Sequence, residues 1–111
     1  MDVYCQQKRD GADRPLRTES VPVSAWKLGG EIVFVTSPGE VFCEFALDFK
    51  RDAVAKYVLF LELANGYVGY IPTVEAFKEG GYEVRKTDAT SYLDPEAGKM
   101  ITETMRRLAR H

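Results

Sequence analysis

The sequence predicts an α/β fold, a small mixed sheet with flanking helices. Three observations lead there. EIVFVT (31–36) is short and rich in β-branched residues, as strands are. YVLFLEL (57–63) is nearly continuous apolar sequence, the mark of a strand buried on both faces. VFCEFALDF and the C-terminal AGKMITETMRRL carry apolar residues at helical spacing.

The elements follow in order. Residues 1–17 lack periodicity and mix bases with acids, which predicts an irregular N-terminal arm. Residues 18–111 then form a single α/β domain or part of one. TESVPVSAWKL (18–28) alternates loosely, with Pro22 favouring an edge strand or a late start. Gly29-Gly30 predicts a two-residue hairpin turn into 31–36. Phe42, Phe45, Ala46 and Phe49 predict a helix from Pro38 to Lys50. Ser37 would cap it, with Pro38 at its first position and Glu40 at its third.

YVLFLEL is predicted as a buried central strand that Asn65-Gly66 ends. Thr73 caps a short helix, VEAFKEG, which Gly80-Gly81 stops, and YEVRK reads as a short extended piece. In DPEAGKMITETMRRLARH, Asp94 caps a helix with Pro95 at its first position. Ala97, Met100, Ile101, Thr104, Met105 and Leu108 form its apolar stripe, and Glu103 lies within a turn of Lys99, Arg106 and Arg107. The apolar surplus in 41–49 and 57–63 exceeds what so small a sheet covers. It predicts an oligomer or a part of a larger domain.

Composition narrows the function classes. The chain has 111 residues, 45% hydrophobic and 29% charged, with a formal net charge of -2. That balance excludes a basic nucleic-acid-binding surface, because the early bases Lys8, Arg9, Arg14 and Arg17 are interleaved with Asp2, Asp10, Asp13 and Glu19. No apolar run reaches the roughly 18 residues of a membrane span. MDVYCQQKRDG lacks a signal-peptide core, so the chain reads as cytoplasmic. Cys5 and Cys43 make no disulfide framework, and Cys43, in an apolar stretch, reads as a buried free thiol.

His111, the last residue, is the only histidine. No Ser-His-Asp or Cys-His catalytic set is therefore present, nor an ordinary zinc site. The glycine spacings do not make a phosphate-binding loop. What remains lies after the two best strands: Glu40 after the first, Tyr67 and Tyr70 after the second. Parallel neighbours would bring Glu40 and one tyrosine to a common rim, where binding crevices form. A carboxylate and a phenol oxygen there can ligate a hard or borderline metal. Spacing alone favours Glu40 as a capping residue and the tyrosines as packing rings, and plain turn geometry accounts for Asn65-Gly66.

The succession VTSPGEVFCEF, an apolar strand, LANGYVGYIPTVEAFKEGGYEV and SYLDPEAGKMI resembles the neutral/alkaline non-lysosomal ceramidase family. The similarity is to the C-terminal part of the catalytic domain and covers most of the chain. The resemblance implies a piece of a larger α/β hydrolytic domain that cleaves an N-acyl amide. It also implies one zinc ion held by two histidines, a glutamate and a tyrosine. The glutamate of the PGE motif falls on Glu40, and the ligand tyrosine, second in N-x-Y-x-x-Y, falls on Tyr70. Asn65 and Tyr67 would support that loop, and Glu83 of GGYEV would lie nearby. No catalytic residue is assigned. None of the 39 residues before Glu40 is histidine. The zinc expected in the complete family site is therefore not expected on this chain alone, and the missing donors fall to an upstream segment or to further copies.

Two function classes follow. One is a fragment of a zinc-dependent, ceramide-like N-acyl hydrolase, inactive alone. The other is a small non-enzymatic α/β domain acting by self-association or protein binding. A metal-independent enzyme using Tyr70 or Cys43 has no convincing base in the sequence.

Overall fold

The computed structural model describes residues 1–7, 17–52, 55–85, 87 and 90–111. In chain order the elements are β1 (Asp2–Gln7), β2 (Arg17–Pro22), β3 (Ser24–Leu28), β4 (Ile32–Thr36), β5 (Glu40–Val41) and α1 (Cys43–Arg51). They continue with β6 (Tyr57–Leu61), β7 (Tyr70–Ile71), α2 (Val74–Glu79), a 3-10 turn (Tyr82–Val84) and α3 (Ala97–Arg110). The fold is a small α/β domain around a mixed three-stranded sheet of order β3-β4-β6. β3 runs antiparallel to β4, and β4 runs parallel to β6 through the α1 crossover. β1 and β2 form an antiparallel ribbon, and β5 and β7 a short parallel bridge.

The core lies on one side of the sheet. Period-2 alternation turns Val33 and Val35 of β4 inward, with Ala25, Val58 and Phe60 beside them. Against them α3 lays Ile101, Met105 and Ala109, all fully buried or nearly so. Burying a side chain of the size of Ile101 or Met105 contributes about 1.5–3 kcal/mol. α1 packs on α3. Phe49 meets Phe60 edge-on at 6.0 Å, while the Arg106 guanidinium sits over the Phe49 ring and binds Asp48 at 3.2 Å. Gly98 makes the helix pair close, because a Cβ there would strike the Phe45 ring.

Several sequence expectations are corrected. Asp2–Gln7 is a strand rather than part of an irregular arm, and 8–16 lie outside the described residues. The strand foreseen over 18–28 is broken at Val23, whose N–H donates to Met1 O at 2.9 Å. The hairpin loop is Gly29-Gly30-Glu31, one residue longer than foreseen.

α1 begins at Cys43, not Pro38, and its N-cap Phe42 provides no side-chain bond. Ser37 through Val41 instead hydrogen-bond to residues 61–71, and that competition removes the predicted capping box. β6 is an edge strand, and β4 holds the centre. Tyr82–Val84 is a 3-10 turn, not an extended piece.

α3 starts at Ala97; Asp94 Oδ1 accepts the Glu96 N–H at 2.9 Å in the turn before it. Its buried residues are Ala97, Gly98, Ile101, Thr102, Met105 and Ala109, so the stripe is rotated from the expected one and Met100 is exposed. The cap at Thr73 forms as expected: its hydroxyl accepts the Ala76 N–H at 3.1 Å. No helix among the described residues is long and apolar enough to cross a membrane.

Candidate functional site

The PGE segment and the NGYVGY loop leave the carboxyl ends of the parallel pair β4–β6 and run side by side. Ser37 N–H donates to Leu61 O, Ala64 N–H to Ser37 O and Val68 N–H to Pro38 O. Glu40 N–H then donates to Gly69 O, and Phe42 N–H to Ile71 O. Two glycines permit this approach. A Cβ at Gly39 would lie 2.8 Å from Gly69 O and 2.6 Å from Ile71 Cδ1. Gly69, at φ +75°, is pressed against Thr90 O, which also accepts the Tyr70 N–H at 2.7 Å. Asn65 takes the left-handed conformation (φ 66°) that its residue type tolerates in turns.

The result is a direct register: Glu40 is the strand partner of Tyr70. The Tyr67 hydroxyl donates to Glu40 Oε2 in a long bond of 3.3 Å. Tyr82 stands edge-on to Tyr70 at 6.1 Å. Of the residues singled out in the sequence, the structure therefore gathers Glu40, Tyr67 and Tyr70, with Asn65 in the turn that leads in. Glu83 is close enough for its charge to act on Tyr70. Desolvation is the largest effect on both tyrosine hydroxyls, followed by the Glu40 carboxylate; together they raise Tyr67 and Tyr70 above the ordinary 10.0. Both phenols therefore keep their protons at neutral pH and can donate to an oxyanion or a carboxylate.

Sequence reading missed two neighbours. Glu62 Oε2 accepts the Val41 N–H at 2.9 Å and ties β5 to the end of β6. Tyr82 supplies the ring against Tyr70, and no periodicity marks it because it lies in an irregular turn. Cys43 is exposed at the start of α1, contrary to the buried thiol expected. The stripe that suggested burial places Phe45 and Phe49 inward and turns Cys43 out. The side chain of Cys5 lies outside the described residues. His111 is exposed at the chain end.

Among the described residues no group of three His, Cys, Asp or Glu side chains is placed to hold a metal. Glu40 and Tyr70 offer two oxygens, whereas a zinc site takes three or four protein donors. Two such oxygens do not by themselves make a zinc site. Comparison with family models, curated proteins and solved structures returns no match for this chain.

Proposed function

We propose that this chain carries half of the metal site of a zinc-dependent amide hydrolase of ceramidase-like type, with Glu40 and Tyr70 as its two oxygen donors. The single observation that supports the reading is their pairing in the β5–β7 bridge, with Tyr67 bound to Glu40. A carboxylate brings negative charge to the site, and the Tyr67 hydroxyl restricts its rotamers. Tyr70 would be a weak ligand through its phenol oxygen, and its proton would be available to an oxyanion formed beside the metal. On this reading the remaining donors come from an imidazole-bearing segment outside this chain, the chain alone does not hydrolyse amides, and it works in the cytoplasm.

Zinc binding by the purified chain, with and without added imidazole, tests this. The expected result is weak binding alone and tighter binding with imidazole. That gain should be lost in Glu40→Ala and reduced in Tyr70→Phe. Tight zinc held by four protein ligands of the isolated chain, or imidazole-dependent binding indifferent to both substitutions, would overturn it.

A further inference from the structure

Among the described residues, the three-stranded sheet has helices on one face only. Its other face is set out by the register. Trp26, Phe34 and Leu59 form one row across β3, β4 and β6; Leu28, Ile32 and Tyr57 form the next; Ser24, Thr36 and Leu61 form the third, where Thr36 is buried. Seven of these nine are apolar or aromatic, and none of the nine carries a charge. Trp26 is 55% exposed, Leu28 61%, Tyr57 52%, Leu59 41% and Leu61 39%. The adjoining positions of the same strands, Ala25, Val33, Val35, Val58 and Phe60, point into the core. The outer face is therefore left apolar by composition, not by an error of register.

We infer that this face is a two-fold interface, and that its occupant is the same face of a second copy of this chain. Size supports the choice. Those exposures leave roughly 500–600 Å² of contiguous apolar surface, given the areas that large side chains expose. A standard interface takes about 800 Å² from each partner, roughly 65% of it apolar in homodimers, which is close to the same apolar area.

Charge supports it as well. A two-fold axis sets the patch against its own copy, so a patch of one sign of charge would repel itself, and this face has no charge to repel. The charges lie at the rim: Lys56 Nζ is 5.3 Å from the Tyr57 ring centre, and exposed Glu31 and Glu62 flank the strand ends. An apolar centre within a polar rim is the usual anatomy of an interface. Two such sheets stack face to face at about 10 Å, which gives a sandwich with the helices outside. The inference does not depend on the metal half-site, whose residues lie beyond the strand ends.

Trp26 is the only tryptophan, so its fluorescence reports on this face alone. The test combines solution mass from light scattering with Trp26 emission over a dilution series. The wild-type chain is expected to have twice the monomer mass, with emission moving to longer wavelength as dilution halves that mass. Leu59→Glu should halve the mass at all concentrations while keeping the circular dichroism of the fold. Leu28→Lys, at the most exposed corner, provides the same reading should Leu59→Glu fail to fold. A wild-type monomer at every concentration would overturn the inference. So would a dimer that survives these substitutions with Trp26 still exposed, or an open-ended series of larger assemblies.

Discussion

The close contacts of single residues set the chemistry of the candidate site. Gly39 faces backbone, Gly69 O at 2.8 Å from an added Cβ, and backbone cannot swing aside as a flexible side chain would. Gly39→Ala should therefore spread the β5–β7 bridge and cost about 1–3 kcal/mol in denaturant unfolding. The same change should weaken the Tyr67–Glu40 hydrogen bond. Glu40→Gln should lower the titration of Tyr67 and Tyr70 toward the ordinary 10.0, since it removes the carboxylate charge acting on both, and ultraviolet titration reads this directly.

The sign for stability follows. The folded chain holds these two protons more tightly than the unfolded chain does. Their contribution is complete below pH 10 and is lost as pH rises through the raised values. Alkaline unfolding should accordingly be less steep in Glu40→Gln. At this scale much was legible. Glu40, Tyr67 and Tyr70 were singled out from their places after two strands, and they meet because parallel strands carry their followers to one rim. Tyr82 was not legible, because its approach to Tyr70 depends on the path of an irregular turn.

Among elements, the misread boundaries share a cause. Ser37-Pro38-Gly39-Glu40 has the local pattern of a helix start, but its backbone groups bond to residues 61–71, and long-range pairing wins over local capping. The continuous apolar sequence of YVLFLEL signals burial on both faces and so predicts a central strand. β6 is instead an edge strand whose second apolar face stays uncovered, and periodicity cannot tell these apart. Part of the apolar surplus of 41–49 is met within the chain, Phe45 against Gly98 and Phe49 against Phe60.

Gly98→Ala is therefore a sharp test of the α1–α3 contact. Alanine favours the helix by up to about 1 kcal/mol, yet its methyl would overlap the Phe45 ring. The clash should prevail, with a net loss of stability that Phe45→Leu relieves in the double variant. Thr73→Ala should cost about 1 kcal/mol through loss of the α2 cap, measured by the same unfolding curves.

At the scale of the whole molecule, the sheet divides the labour. One face is filled by α3 and α1, the other carries no helix among the described residues, and the candidate site hangs from the carboxyl ends of β4 and β6. The α/β class and the mixed sheet were legible from β-branched runs alternating with helical spacing. The apolar surplus was legible too, but not which face of the sheet would carry it, since a sequence shows that a residue is apolar and not what covers it.

Tyrosine carbon NMR is the most direct probe of the proposed metal half-site. The ring carbon bearing the hydroxyl responds to protonation and ligation, and Tyr70→Phe and Tyr67→Phe assign two of the six tyrosine signals. On addition of zinc with excess imidazole, the Tyr70 signal should move most, Tyr67 should follow through Glu40, and Glu40→Ala should abolish both shifts. Zinc binding that leaves Tyr70 unmoved would contradict the account and place the metal elsewhere on the chain.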